Sequence, residues 1–237
     1  MSNVNTVERL MEICIRGDRG EVRTYVDECL AESSADDLLV GLVLPAIVEA
    51  ERIGREDRST TSAFNVLLGS LRLASNRIME QLSRVESPAR ESLRIAVYCG
   101  SGNSEELQGE IIAAVLDRDG HEVRFAGGGV PADDILSDVG RLDPDVLLLF
   151  ASAASDAPAI REVIDTVRTV GARPRMQIVI GGGVFDRAPG LAEEIGADLW
   201  TDDPGILRHA IVEEHAMRAI PEQRTVGRTR GPAARAA

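Results

Sequence analysis

Residues 100–108 read Gly-Ser-Gly-Asn-Ser-Glu-Glu-Leu-Gln and hold the densest run of ligand-contacting groups in the chain. Gly100 and Gly102 permit close backbone approach and positive φ. Ser101, Asn103, Glu105 and Gln108 add hydroxyl, amide and carboxylate groups, and the N–H groups of a helix starting at Glu105 could hold an anion. A second glycine run, Gly181, Gly182 and Gly183, and a polar loop from Ala151 to Asp156 containing Ser152 follow later apolar segments. Binding is the chemistry these groups suit. Ser155 has no nearby His to activate it, so nucleophilic catalysis has no support. Gly100-x-Gly102 lacks the third glycine of a dinucleotide fingerprint. Cys14, Cys29 and Cys99 lack metal spacing, and Cys99 reads as a small buried hydrophobe. His209 and His215 are six apart, which is not a one-face helical spacing, and His121 lies elsewhere. Trp200 reads as a packing residue. Asp156-x-Pro158 and Asp203-Pro204 read as helix starts.

These groups need elements to carry them. Leu93–Cys99 is an apolar strand that stops at Gly100, and the amphipathic run from Glu105 to Arg118 follows at once. Strand–helix alternation continues: strands at 121–126, 145–150, 176–180 and 198–201, and helices near 132–141, 158–170, 191–195 and 204–217. Near-continuous apolar strands joined by helices imply an α/β fold, a parallel sheet covered on both faces. In such sheets ligands sit outside the carboxyl ends of the strands, where the strand order reverses. Before residue 85 only helical periodicity is present. Apolar positions predict four helices: one ended by Gly17, a second through Val22–Leu30, a third after Ser34 to about Ile53, and a long fourth capped by Ser59 or Thr60. The domain plan is therefore a helical bundle over 1–85, a Pro-containing linker at 86–92, an α/β domain over 93–218 and an Arg-containing tail at 219–237.

Composition narrows the partners. The formal net charge is -13, and every basic residue is Arg, since the sequence holds no Lys. Such a surface repels phosphate backbones and anionic membranes, so direct nucleic-acid or membrane binding is not expected. No apolar run approaches the ~20 residues of a membrane span, and three unpaired-looking cysteines suit a reducing, cytoplasmic compartment.

Motif order adds a resemblance. The third helix contains Leu44-Pro45-Ala46. Later come Ala113-Ala114-Val115-Leu116, Asp119-Gly120-His121-Glu122-Val123, Leu142-Asp143-Pro144-Asp145-Val146, Pro158–Ile164, the 181–183 glycines and Glu193–Asp198. In this order and spacing, over about residues 5–218, the chain resembles the cobalamin-binding modules of methionine synthase, corrinoid methyl-carrier proteins and light-sensing regulators. The resemblance implies a helical cap and a flavodoxin-like five-stranded parallel sheet, order 2-1-3-4-5, with helices on both faces. It also implies cobalamin, or another tetrapyrrole, as cofactor. In base-off members an Asp-x-His-x-x-Gly motif supplies the metal's lower ligand, and this chain has Glu105 at the His position and Gln108 at that of the Gly. The family's Ser-x-Leu, which lines the slot for the cofactor's nucleotide tail, is replaced by Phe150-Ala151-Ser152. Where the light-sensing regulators carry a Trp and a Glu-His pair above the metal, this chain has Gly54 and Phe64-Asn65. The expectation is thus a non-catalytic, sensor-type regulatory or accessory protein that binds a corrinoid or other tetrapyrrole in a non-standard mode, or acts through protein partners. A corrinoid carrier in methyl transfer is the first alternative. A ligand-free structural module that self-associates through its bundle is the second.

Overall fold

Thr6 accepts the Arg9 N–H (3.2 Å) and so opens α1 (Val7–Arg16), which ends on Gly17 in the left-handed region, φ 73°. In the computed structural model, residues 6–82, 92–171, 173–201 and 203–219 are described. Most of the expected linker and tail lies outside them. The chain divides into two units, residues 1–84 and 85–237, and each is described by itself.

The first unit continues with α2 (Arg19–Glu32), capped by Asp18. Next come α3 (Ala35–Leu38), a π-helical turn (Leu39–Val43), α4 (Leu44–Arg55) and α5 (Thr61–Met79). Of the two expected caps for α5, Thr60 acts, accepting the Ala63 N–H. The predicted third helix is one path broken by the π turn, and Pro45 is the reason. Proline has no N–H and its ring collides with the carbonyl four residues back, so the helix widens just before it. Leu10, Ile13, Val22, Leu39, Ile47 and Leu71 fill the core of this unit.

The second unit runs β1 (Arg94–Cys99), α6 (Asn103–Arg118), β2 (Glu122–Gly128), α7 (Ala132–Leu142), β3 (Val146–Phe150), α8 (Ala157–Val170), β4 (Gln177–Gly181), α9 (Gly183–Arg187), α10 (Leu191–Glu194), β5 (Leu199–Thr201) and α11 (Pro204–Glu213). All strands are parallel, in the order 2-1-3-4-5. The helix expected from Glu105 starts at Asn103. Strand β2 outruns its predicted end at Ala126, because a bulge accommodates Gly127 (φ 81°) and brings Gly128 against the Gly100 carbonyl. The 181–183 glycines do not end in a loop: α9 begins at Gly183.

Alternation along the strands sends side chains to two faces. Tyr98, Leu149 and Ile180 join α7 and α8 in one core. Cys99 points the other way, its Sγ against Gly109 of α6, and Phe150 lies on that same opposite face, against Gly181.

Candidate functional site

The loops that follow β1, β3 and β4 converge at the carboxyl edge of the sheet. The Gly100 N–H donates to the Phe150 carbonyl (2.7 Å), and the Ala151 N–H to the Gly181 carbonyl (2.9 Å). The strand order reverses between β1 and β3, where α/β sheets hold ligands.

Glu105 is the tie across this edge. It is 2% exposed. Its Oε2 accepts the Gly102 N–H (2.8 Å), and its Oε1 accepts the N–H groups of Ser152 and of Ala153, the latter at 2.7 Å. Three peptide donors from two loops therefore converge on one carboxyl group. A third loop joins through Arg187 of α9, whose guanidinium donates to the Ser152 carbonyl. The helix start expected to hold an anion thus already has one, from the chain itself.

The remaining candidates divide. Gln108 is 2% exposed, and its Nε2 donates to the Ser104 carbonyl at 3.4 Å. Asn103 and Ser101 are exposed, and the Ser101 hydroxyl makes a long bond, 3.5 Å, to Asp156 Oδ1. Phe150 is buried, and a Cβ placed on Gly181 would lie 2.8 Å from its ring. Gly182, at φ 106°, admits no side chain, since a Cβ would strike the Ala151 backbone, and one on Gly183 would lie 2.8 Å from Arg187 Nη1. Ser152 is buried, and its Oγ has no partner among the described residues. Phe64 and Asn65 belong to α5 of the helical unit. There the Phe64 ring covers Gly54, where a Cβ would lie 2.9 Å from it, while Asn65 is exposed.

Asp156 departs from its expected role. It stands at the N-cap of α8, yet its side chain makes no cap bond, whereas Asp203 caps α11 by accepting the N–H groups of Gly205 and Ile206. Burial, with the charges of Glu105 and Glu106 adding, pushes the Cys99 thiol up to about 12, so it is no nucleophile near neutral pH. His121 is buried, and its Nδ1 accepts the Leu93 N–H (3.2 Å), a structural use. Among the described residues no group of three or more His, Cys, Asp or Glu is placed to hold a metal, and no helix is long and apolar enough to cross a membrane.

The sequence marks Glu105, Gly102 and Ser152 but not the bonds between them, nor Ala153 or Arg187. No local pattern marks a side chain whose partners lie on another loop.

A corrinoid ligated from below by the residue at 105 does not fit these side chains. Both Glu105 oxygens are engaged by peptide N–H groups, and a carboxylate is a hard oxygen donor in place of an imidazole. A nucleotide tail lodged at 150 does not fit either, because the Phe150 ring is buried there against Gly181.

Residues 93–204 match the family model described as the B12 binding domain. The dimethylamine corrinoid protein 3 of Methanosarcina acetivorans is 25% identical over 126 residues, 52% of this chain and 58% of that protein. Its namesake in Methanosarcina mazei is 26% identical over 102 residues, 43% of this chain and 60% of that protein. The chain thus spans little more than half the length of these curated relatives. Among solved structures, the monomethylamine corrinoid protein of Methanosarcina barkeri superposes with a TM-score of 0.74 at 13% identity, covering 89% of this chain and 98% of that one. This is a likeness of fold: a helical cap and a Rossmann-like domain.

Proposed function

We propose that this chain, whose residues 93–204 match the B12 binding domain model, is a carrier-type corrinoid-binding module whose corrinoid keeps its own base beneath the metal. The observation that carries this reading is the commitment of Glu105 to three peptide N–H groups. In the base-off mode a protein imidazole and an open tail slot are needed together, because the displaced nucleotide must go somewhere. Here both are replaced, at 105 and at 150, as the single change to a base-on mode requires. A cobalamin that retains its own base needs neither.

The relatives favour a carrier over a sensor, since those matched in sequence are named corrinoid proteins. A carrier works between other proteins, so a protein partner that delivers or receives the carried group is part of the proposal. No step of that transfer is assigned to a side chain of this chain.

Titration of the full chain with methyl-, adenosyl- and hydroxocobalamin, and with haem, followed by visible spectra and calorimetry, tests the reading. Saturable cobalamin binding with the base-on spectrum retained is expected. A shift to the base-off spectrum would overturn the mode. Absence of cobalamin binding up to about 100 µM would overturn the function and leave the ligand-free module. Haem binding in place of cobalamin would move the reading to another tetrapyrrole.

A further inference from the structure

The face of the sheet opposite Phe150 is not filled. A cavity of about 210 Å³ lies over the carboxyl ends of β1 and β3, walled by Tyr98, Leu149, Val130, Ile135, Ile160 and Val163. Its apolar side belongs to the core formed with α7 and α8. Its polar end comes from the loops, where Gly100, Ser101 and Asp156 complete the lining.

Asp156 makes this more than a packing gap. An Asp at a helix N-cap normally has its carboxylate bound to the first free N–H groups, as Asp203 does. The Asp156 carboxylate is withheld from α8 and pressed against Gly100, where any Cβ would collide with Oδ2. Its Oδ1 receives only the 3.5 Å contact from Ser101, and its Oδ2 is buried with no partner among the described residues. With Oδ2 shut in against Gly100, a donor from the cavity meets the carboxylate at Oδ1, whose one bond is long, and a charged donor binds it most strongly. The overall charge of -13 favours a cation at the same place. Size limits the rest of the ligand. A dry cavity of about 150 Å³ takes a benzene ring, so this one holds such a ring with a short polar arm.

We propose that this cavity is a second small-molecule site, independent of any corrinoid, and that it takes a compact apolar ring bearing a protonated amine held by Asp156. Phe150, Gly100 and Ser101 also border this cavity, but the Phe150 ring packs on Gly181, and the apolar wall under α7 and α8 is what sets the site apart from any corrinoid edge.

The full chain is titrated with benzylamine, toluene and benzoate by calorimetry and by methyl NMR of Ile135, Ile160 and Val163. Benzylamine binds, shifts those methyl signals, and outcompetes toluene by about tenfold, the worth of one charge-assisted hydrogen bond. Benzoate does not bind. Asp156→Asn brings benzylamine down to the affinity of toluene and leaves toluene unchanged. Ile160→Phe, which fills the cavity, abolishes both; should that variant not fold, the Asp156→Asn comparison decides. Equal binding of benzylamine and benzoate, an Asp156→Asn variant that binds benzylamine as tightly as the original, or no binding up to about 10 mM overturns the proposal.

Discussion

The two sides of the sheet at its switch point have met opposite fates. On the α6 side Glu105, Phe150 and Cys99 are bonded or packed inside the protein, while the Ser152 hydroxyl has no partner among the described residues. Glu105 is served by Gly102, Ser152 and Ala153, the Phe150 ring is packed on Gly181, and Cys99 is packed on Gly109. On the α7–α8 side a cavity remains, and the carboxylate at its end is unserved. The helical unit repeats the first pattern, since Phe64 occupies the space a larger residue at 54 would need. If the comparison is right, replacing Glu105 or Phe150 on the closed side damages stability and replacing the Asp156 carboxylate on the open side does not.

Phe150→Ala is expected to do the most damage. The ring is 3% exposed, and truncating a buried Phe costs about 3–5 kcal/mol in lost transfer energy and cavity. Urea denaturation measures it. A cost under about 1 kcal/mol would mean the slot is loosely filled and still able to admit a ligand.

Glu105→Ala follows, at about 3 kcal/mol, because it removes one charged acceptor from three N–H groups, one of them on buried Ser152. Glu105→Gln should recover part of the loss, since its amide oxygen still accepts from peptide N–H groups. Glu105→His should also destabilise, because an imidazole cannot span both loops. If Glu105→Ala unfolds no more easily than the parent chain, the carboxylate is not the tie described, and a ligand role for it reopens.

A smaller effect separates the buried thiols from solvent. Burial raises the folded-state pKa of Cys99, and of Cys14 in the helical unit, from 9.0 to about 12. In the unfolded chain these thiols ionise near pH 9 while in the folded chain they stay protonated. Their contribution is present below that pH and is lost as pH rises toward 12, by about 1.4 kcal/mol per thiol at pH 10. Cys99→Ala should therefore shrink the fall in urea midpoint between pH 8 and pH 10. An unchanged fall would show that the thiol is reached by solvent.

Much of this architecture is legible in local sequence spacing. The apolar strands, the caps at Ser34, Thr60 and Asp203, and the stop at Gly17 depend on neighbours a few residues away, and local spacing reveals them. The strand order came by resemblance, and it is the order observed. What stayed hidden was long-range. A Glu in the first turn of a helix reads as dipole and cap chemistry, and nothing nearby announces bonds to residues 47 and 48 positions on. Helix α9 is hidden in the sequence because three glycines read as a loop, although only Gly182 needs a conformation that other residues avoid. Asp156 misleads for the same reason in reverse. Its sequence neighbourhood fits a cap, and only the path of the β1 loop shows that the carboxylate goes elsewhere.

The smallest expected effect is the sharpest test of the comparison. Asp156→Asn should change stability by no more than about 0.5 kcal/mol, since the carboxylate caps no helix and its one bond is long. Asp156→Ala should be neutral or mildly stabilising, because it removes a buried oxygen that has no partner and leaves no donor stranded beyond the exposed Ser101 hydroxyl. The equivalent change at Asp203, which strips two N–H groups of their acceptor, should cost about 1 kcal/mol. Measured side by side by urea denaturation, the two N-cap aspartates give opposite answers if one is structural and the other is held for a ligand. If both cost the same, Asp156 caps its helix in solution, and the open side of the sheet loses its only unserved carboxylate among the described residues of the cavity wall.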